Sequence, residues 1–255
     1  MQYRFAQERQ DYSDYSSGRV FYGLPGHPAF PVRLASEIFQ RCVALREAQG
    51  AAGPCVLYDP CCGGAYHLST LAYLHWNAIG EIIGSDVDEE ILSVARRNLS
   101  LLTVEGLDRR TAEISKMLVQ YKKASHEAAL ESAETLRQRL LGLVETHQVD
   151  VCLFAADATD SRAVGEKLAG RKVDVVISDI PYGRHSSWRT ADASQASTLS
   201  PAWQMLEALL PILSLRSVVA IASDKRQRIS HEGYRRLDRF QVGKRRVVLL
   251  QLITQ

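Results

Sequence analysis

Short runs of consecutive apolar residues alternate along this chain with longer stretches in which apolar residues recur at helical spacing. The short runs predict strands at residues 55–58, 81–85, 149–155, 173–177 and 217–222. The helically spaced stretches predict helices at residues 31–49, 68–78, 89–102, 161–168 and 201–213. Because buried parallel strands are continuously apolar and are joined by helices, the pattern predicts an α/β, Rossmann-like fold with a mostly parallel sheet covered on both faces.

Three segments depart from this alternation. Residues 1–30 are polar, aromatic and rich in turn formers, so we expect an irregular arm. Residues 107–147 contain no strand-like run and predict a long or broken helix inserted into the fold. Two runs at residues 234–240 and 245–253 predict a hairpin that adds an antiparallel C-terminal strand to a seven-stranded sheet. We expect a single domain over residues 1–255, made of an arm and helix at 1–50, the insert at 107–147 and a basic hairpin at 225–253.

An aspartate follows each of four predicted strands, at Asp59, Asp86, Asp157 and Asp179. A single aspartate in such a place is more often a helix cap or a turn former. In an open α/β sheet, however, ligands bind in the crevice at the carboxyl ends of the strands. Four carboxylates at four strand ends therefore predict a binding site at that edge of the sheet.

The composition, with 46% hydrophobic and 24% charged residues among 255, is typical of a globular protein with a sizeable core. No apolar run reaches membrane-spanning length and the first residues lack a signal-peptide core, so we expect a cytoplasmic protein that does not bind membranes. The five cysteines are odd in number and lack C-x-x-C spacing, which argues against a disulfide framework or a metal site. No helix surface has the pattern of a dimer seam, so we expect a monomer.

Positive charge is concentrated near the C-terminus. Residues 225–246 contain nine lysines and arginines against two acidic residues, a local charge of +7, so the rest of the chain carries −5 of the total of +2. A solvated arginine-rich hairpin and a binding surface for a polyanion both explain this concentration. The basic segment favours nucleic acid over protein as the partner of this chain.

The loop after the first strand, D-P-C-C-G-G-A at residues 59–65, lacks the G-x-G-x-x-G fingerprint of dinucleotide-binding proteins. Asp59 at the strand tip would also repel a pyrophosphate. S-adenosyl-L-methionine has no phosphate and carries an ammonium group that a carboxylate attracts, and Gly63 and Gly64 let the backbone approach a ligand closely. Asp86 is placed to accept from both ribose hydroxyls, and Asp157 from the adenine amino group. The pattern therefore favours S-adenosyl-L-methionine as the cofactor.

Residues 179–183, D-I-P-Y-G, resemble the D/N-P-P-Y/F motif of methyltransferases that act on nitrogens of planar bases. The Asp179 carboxylate would accept a hydrogen from the target nitrogen, orient its lone pair and receive the proton. The Ile180 carbonyl offers a second acceptor, Pro181 stiffens the turn, and Tyr182 offers a face on which the base stacks. A base in structured nucleic acid must first leave its stack. A plain Pro-Tyr-Gly turn is the alternative, which the other strand-end aspartates make less attractive.

Four segments together resemble the AviRa-type avilamycin-resistance methyltransferases: residues 30–41 (F-P-V-R-L-A-S-E-I-F-Q-R), 59–63, 85–88 and 179–183. The resemblance runs from about residue 3 to 250 and is weakest in the helical insert and at both ends. It implies an enzyme that transfers a methyl group from S-adenosyl-L-methionine to a guanine base of 23S rRNA and so protects the ribosome from orthosomycin antibiotics. The partner would be 23S rRNA or the large ribosomal subunit.

Three groups of site residues are expected from the motifs, the charge pattern and this resemblance. The cofactor-binding residues are Arg33, Asp59, Pro60, Cys61, Gly63, Gly64, Asp86, Val87, Asp157 and Ala158. The residues at the target base are Asp179, Ile180, Pro181 and Tyr182. The RNA-binding residues are Arg184, Trp188, Lys225, Arg226, Arg228, Lys244, Arg245 and Arg246. Trp188 belongs to this set because an aromatic residue in so polar a stretch lacks an obvious core partner.

The sequence departs from the family pattern at two places. Gly64 and Ala65 precede Tyr66 where the family usually has Ser-Gly, and Ile180 replaces the proline of the wider motif. The second departure leaves ring N1 and exocyclic N2 of guanine both open. Adenine-N6 or protein amide methylation is an alternative within the enzyme class, and a non-catalytic RNA-binding module is an alternative outside it. Cys61 and the cysteine after it are interpreted as loop residues, since covalent cysteine catalysis serves pyrimidine carbons.

Overall fold

The computed structural model describes residues 3–23, 29–180, 188 and 199–253. The strands within these ranges are β1 (Cys55–Asp59), β2 (Ile79–Asp86), β3 (Asp150–Ala155), β4 (Val173–Asp179), β5 (Leu213–Asp224), β6 (Tyr234–Val242) and β7 (Arg245–Leu252). The helices are α1 (Val32–Glu47), α2 (Tyr66–His75), α3 (Glu89–Ser100), α4 (Val104–Tyr121), α5 (Ala124–Val144), α6 (Ser161–Leu168) and α7 (Pro201–Leu209).

The strands form one seven-stranded sheet in the order β3-β2-β1-β4-β5-β7-β6. Strands β1 to β5 pair in parallel, whereas β7 runs antiparallel to both β5 and β6. The predicted mostly parallel sheet with an antiparallel C-terminal strand is confirmed. The chain runs from β1 outward to β2 and β3 and then places β4 on the other side of β1. The strand order thus reverses between β1 and β4, and open α/β sheets bind their ligands at such reversal points.

Each face of the sheet carries its own apolar cluster, because alternate strand residues point to opposite sides. Leu57 and Val175 belong to the cluster that contains side chains of α1 to α5. Their neighbours Tyr58 and Val176 belong to the cluster that contains side chains of α6 and α7. The central strands are therefore apolar on both faces, which explains why they appear in the sequence as continuous apolar runs.

The N-terminal arm is irregular, as predicted, but it is packed into the core. Tyr15 and Phe21 are buried and lie against Tyr73 of α2, at ring-centroid distances of 6.1 and 6.0 Å. Val20 between them is fully buried. The arm therefore contributes apolar contacts to the cluster on the α1-to-α5 face, which its polar composition did not predict.

Glu37 of α1 ties the start of the arm to the core. Its side chain is fully buried and accepts hydrogen bonds from the backbone N–H groups of Arg4, Phe5 and Ala6 at 2.6, 2.9 and 2.8 Å. Arg41, one turn along the helix, donates to the same carboxylate at 2.7 Å. Burial alone would raise the pKa of Glu37, but the three backbone donors and Arg41 lower it below its usual value.

The insert consists of two helices, α4 and α5, as the prediction of a broken helix allowed. α4 ends at Tyr121, and the next residue, Lys122, adopts a left-handed φ of 48°. Arg110 of α4 is buried and donates to the backbone carbonyls of Val20 and Arg19 at 2.8 and 3.0 Å. The insert therefore holds the N-terminal arm against the core.

The predicted boundaries near α7 are wrong. The predicted helix at residues 201–213 ends at Leu209, and a short 3-10 turn follows. Pro211 lies in that turn and has no N–H with which to extend the helix. Strand β5 then begins at Leu213, earlier than the predicted residue 217. Within the described ranges, none of the helices combines the length and apolar character needed to cross a membrane.

Candidate active site

The four strand-end aspartates lie along one edge of the sheet. Asp86, Asp59 and Asp179 are the last residues of β2, β1 and β4, and Asp157 follows the end of β3. These strands are consecutive in the order β3-β2-β1-β4, so their carboxyl ends are side by side. The predicted grouping of the four carboxylates is therefore present, and it spans the point where the strand order reverses.

The loop after β1 is fixed against the end of β2. The Cys62 N–H donates to the Ser85 carbonyl at 2.8 Å, and the Gly63 N–H donates to Asp86 Oδ2 at 2.9 Å. Gly63 has a φ of 52°, and a Cβ there would have no heavy atom within 4 Å. The backbone at Gly63 is thus held in a conformation that favours glycine and borders open space, where a ligand can approach it.

Asn98 of α3, a residue that the sequence analysis missed, holds this loop and the N-terminal arm together. Its buried side-chain amide donates to the Gly64 carbonyl at 2.8 Å and to the Tyr22 carbonyl at 3.0 Å. Its carbonyl oxygen accepts from the Tyr22 N–H at 2.7 Å. The cofactor-binding loop predicted from the sequence is therefore linked through one side chain to the arm.

Asp59 is buried behind the loop. Its Oδ1 accepts from the Cys61 N–H at 3.0 Å. Its Oδ2 lies 3.1 Å from Nε2 of the buried His67 on α2, as an ion pair rather than an aligned hydrogen bond. Burial alone would lower the pKa of the His67 imidazole, but the carboxylates of Asp59 and Asp179 and the Ile177 carbonyl raise it above 6.5. Protonation of His67 is thus favoured beside Asp59, and nothing in its sequence context had indicated this pair.

We predict that replacing His67 by glutamine makes stability depend less on pH. Because the folded pKa of His67 is raised, its contribution is fully present below 6.5 and is lost as pH rises through the folded value. The difference in unfolding free energy between wild type and His67→Gln should therefore be larger at about pH 6 than at about pH 9. Urea denaturation at both pH values measures it.

His75 provides a control of opposite sign. Burial lowers the pKa of His75 to about 4, so the unfolded chain takes up its proton first as the solution is acidified. The unfolding free energy of His75→Gln should therefore rise relative to that of wild type as pH falls below about 6.5. If the difference in unfolding free energy from wild type changes with pH in the same direction for both variants, the direction assigned to the His67 pKa shift is wrong.

Asp86 and Asp157 are both engaged with backbone groups. Asp86 is half-buried and accepts from the Gly63 and Asp88 N–H groups, at 2.9 and 3.1 Å. Burial raises the pKa of Asp86, and these backbone donors oppose that shift. Asp157 accepts from the N–H and the hydroxyl of Thr159 at 2.9 and 2.7 Å. A carboxylate offers about four lone-pair sites, so both groups keep capacity for a ligand.

The remaining predicted cofactor residues occupy different positions. Pro60 and Ala158 are buried, whereas Cys61 and Val87 are half-buried in the loops at the same edge. Burial and the neighbouring carboxylates raise the pKa of the Cys61 thiol well above its usual value, which disfavours a nucleophilic thiolate. Arg33 donates to the Ala6 and Gln7 carbonyls at 2.9 and 2.7 Å. Its guanidinium is thus bound to the arm, and its predicted approach to the cofactor carboxylate stays a prediction.

Asp179, the predicted acceptor at the target base, has an unexpected neighbour. Arg245 Nε lies 3.7 Å from Asp179 Oδ2, and the Arg245 guanidinium stands 5.2 Å from the centre of the Phe30 ring. The next residue, Ile180, is buried and its N–H donates to the Ala222 carbonyl at 3.1 Å. The predicted residues Pro181, Tyr182 and Arg184 lie outside the described residues.

The predicted RNA-binding residues of the C-terminal segment are brought to the edge that carries the aspartates. Lys225, Arg226 and Arg228 are exposed directly after β5. Lys244 is exposed in the turn before β7, whose first residues Arg245 and Arg246 pair with the last two residues of β5. Two segments that are separate in the sequence therefore form one basic border beside the carboxylates.

Two arginines of the segment 225–246 that were not predicted to bind RNA, and the predicted RNA-binding residue Trp188, lie elsewhere. Arg235 and Arg236 lie at the start of β6, at the opposite end of the hairpin from this border. Trp188 is half-buried and packs against the apolar cluster on the α6 and α7 side. The argument that Trp188 lacks a core partner was wrong, because that cluster supplies one. In the described part of the chain, no three histidine, cysteine or acidic side chains are grouped as metal ligands would be.

Comparison with known proteins decides the family. The family model for the rRNA methyltransferase AviRa matches residues 1–245. The 23S rRNA (guanine(2535)-N(1))-methyltransferase of Streptomyces viridochromogenes is 38% identical over 249 residues, which are 98% of this chain and 95% of that protein. The chain belongs to the AviRa rRNA methyltransferase family. The resemblance found in the sequence is therefore confirmed, and so is the expectation of an rRNA methyltransferase.

Solved structures agree with the AviRa assignment. The rRNA methyltransferase AviRa from Streptomyces viridochromogenes superposes with a TM-score of 0.84 at 37% identity, over 98% of this chain and 96% of that one. A structure from Listeria monocytogenes, assigned to the class I S-adenosylmethionine-dependent methyltransferases, has a TM-score of 0.50 at 13% identity. It covers 91% of this chain and 63% of its own, and it supports the fold alone.

Proposed function

We propose that this AviRa-family protein methylates ring N1 of a guanine in 23S rRNA, with S-adenosyl-L-methionine as methyl donor. The Streptomyces relative is a guanine N1 methyltransferase, which supports N1 over the exocyclic N2 that the sequence left open. The observation that carries the proposal is the position of Asp179. It ends the strand beside the glycine loop, at the edge that also carries the basic border.

The chemistry of the edge fits S-adenosyl-L-methionine. Asp86 and Asp157 are half-buried carboxylates at this edge that attract a ligand with ammonium and sulfonium groups and repel a pyrophosphate, whereas Asp59 and Asp179 lie beside His67 and Arg245. The open space over Gly63 gives a ligand access to the backbone. We assign Asp86 and Asp157 to the ribose hydroxyls and the adenine amino group, because both are half-buried and keep acceptor capacity. When bound, S-adenosyl-L-methionine supplies a methyl group on a positively charged sulfur.

We assign roles to two residues: Asp179 acts on the target base, and His67 supports the strand end beside it. The Asp179 carboxylate accepts the N1–H of the guanine, holds the ring so that the N1 lone pair faces the methyl group, and receives the proton. His67 keeps the buried Asp59 carboxylate paired at 3.1 Å, so that the end of β1 remains folded beside Asp179. Orientation of the base by these fixed strand ends contributes much of the acceleration.

The residues of the basic border other than Arg245 are assigned to the phosphates that flank the target base. We predict that the logarithm of RNA affinity falls linearly with the logarithm of salt concentration, since bound lysines and arginines release counterions. Lys244→Gln should reduce the slope by about 1, because one phosphate contact is lost. Arg236→Gln, which removes the same charge from the other end of the hairpin, should leave the slope unchanged. A flat dependence for the wild type would exclude this phosphate-binding surface.

The function is tested by incubating the protein with labelled S-adenosyl-L-methionine and unmodified 23S rRNA, followed by nucleoside mass spectrometry. 1-Methylguanosine is the expected product. 2-Methylguanosine would keep the enzyme class and reject N1. No label in either free 23S rRNA or intact large subunits, with cofactor binding still measurable, would reject the proposed substrate.

The biological role and setting follow from this activity. We propose that the methyl group weakens orthosomycin binding to the ribosome, that the protein acts in the cytoplasm where ribosomes are found, and that it does so as a monomer with residues 1–255 in one domain. Avilamycin sensitivity of cells with and without the active protein tests the first point.

A further inference from the structure

The carboxylate at the end of β4 and the guanidinium at the start of β7 form a mixed acceptor and donor pair. Arg245 Nε and Asp179 Oδ2 are 3.7 Å apart, and the two side chains are 22% and 24% exposed. Both groups are therefore accessible from the edge where the base is expected. The sequence had placed them in different functions, Asp179 at the base and Arg245 on the phosphates.

The sheet register explains why these residues meet. Asp179 pairs with Ala222 of β5, and Arg245 pairs with Asp224, two residues farther along the same strand. Residues directly opposite or two apart share a face of the sheet, so Asp179, Ala222 and Arg245 are on one side. The residue between them on that face of β5, Ala222, has a small side chain. The Arg245 guanidinium also stands 5.2 Å from the centre of the Phe30 ring, within cation–π range.

This pair matches the edge of guanine that carries N1. Guanine presents an N1–H donor beside the O6 acceptor, whereas adenine presents an acceptor at N1 beside an amino donor. A carboxylate next to a guanidinium complements the first arrangement. With adenine it would place acceptor against acceptor and donor against donor, which leaves desolvated polar groups unpaired.

Resting on the proposed function, we infer that Arg245 binds O6 of the target guanine, selects guanine over adenine and stabilises the charge that develops during transfer. N1 gives its proton to the Asp179 carboxylate, and its electron pair forms the bond to the methyl carbon. The carbon–sulfur bond breaks with its electrons staying on sulfur, which becomes a neutral thioether. As the N1 proton leaves, negative charge spreads onto O6, where a fixed guanidinium lowers the barrier.

The test compares Arg245→Gln with Arg236→Gln, which removes an exposed arginine of the same hairpin about 20 Å away along the strands. The single-turnover rate of 1-methylguanosine formation is measured at saturating 23S rRNA from about pH 6 to 9. Arg245→Gln should be about 10²-fold slower near neutral pH, as for loss of one oxyanion donor. The difference in rate between Arg245→Gln and wild type should become smaller toward alkaline pH, because the weakly acidic N1–H then ionises without the guanidinium. Arg236→Gln should match wild type.

A second readout separates O6 binding from a phosphate contact. If Arg245 binds O6, the slope of RNA affinity against salt concentration stays at the wild-type value in Arg245→Gln. A slope reduced by about 1, with the rate at saturating RNA kept within about two-fold of wild type, would overturn the inference in favour of a phosphate contact.

If Arg245→Gln does not fold, Arg245→Lys is measured instead, because it keeps the positive charge. It should be about ten-fold slower than wild type with the same pH dependence, because a lysine lacks the planar donor pair. Full activity in Arg245→Lys would also overturn the assignment. The wild-type reaction is the first arm of the experiment: if it yields no 1-methylguanosine, the proposed function fails, whereas an active wild type with a fully active Arg245→Gln defeats only the inference about Arg245.

Discussion

Asp179→Ala is expected to slow methyl transfer between about 10² and 10⁴-fold while leaving the fold and S-adenosyl-L-methionine binding intact. The carboxylate is 24% exposed at the strand end, so its removal creates no large cavity. What is lost is the group that orients the target nitrogen and takes its proton. Single-turnover transfer to 23S rRNA measures the rate, and calorimetric titration with S-adenosyl-L-methionine measures cofactor binding.

Asp150→Ala is the matched control, because Asp150 is an exposed aspartate at the first residue of β3, the other end of the sheet. It should transfer methyl groups at the wild-type rate. A wild-type rate in Asp179→Ala would show that another group accepts the proton. A loss of cofactor binding in parallel with the rate would instead place Asp179 in the cofactor site.

The largest loss of stability is expected for Glu37→Gln. The substitution removes one of the two carboxylates that pair with the buried Arg41, the other being Asp238, and it weakens the acceptor of three backbone N–H groups. Breaking a buried ion pair by removing one partner costs about 3–5 kcal/mol. Urea denaturation at neutral pH should show a loss of unfolding free energy of this size.

The same substitution has a defined pH dependence. Because the folded pKa of Glu37 is lowered, its contribution is present above 4.5 and is lost as pH falls through the folded value. The difference between wild type and Glu37→Gln should therefore shrink on acidification. Glu47→Gln, which changes the exposed last residue of the same helix, should stay within about 0.5 kcal/mol of wild type. A Glu37→Gln protein as stable as Glu47→Gln would refute the proposed role of the arm contacts.

The sheet and the strand-end aspartates could be predicted because their signal is local. A strand covered on both faces is continuously apolar, and its carboxyl end is marked where a charged residue follows, as Asp59 follows Tyr58. The rules of open α/β sheets then place Asp86 and Asp179 at the same edge of the sheet. Asp88, two residues beyond the end of β2, caps α3 and accepts from the Glu90 and Ile91 N–H groups.

The contacts that complete the site could not be predicted because they join distant parts of the chain. His67 looks like an ordinary helical residue until β1 and α2 bring it to 3.1 Å from Asp59. Arg245 and Asp179 are 66 positions apart in the numbering, and only the insertion of β7 beside β5 brings them together. The buried arm was missed for a related reason, since the polar residues around Phe21 concealed the few aromatic side chains that enter the core.

The triple hydrogen bond of Asn98 gives the first residues of the chain an influence on ligand binding. A ligand that orders the loop at Gly64 also favours the arrangement in which Tyr22 is held, because one amide group serves both. Free energy of binding is thereby shared with the amino-terminal segment, whose amide protons would exchange more slowly once the ligand is bound. Shortening the amino-terminal segment would therefore change the affinity of the loop for its ligand.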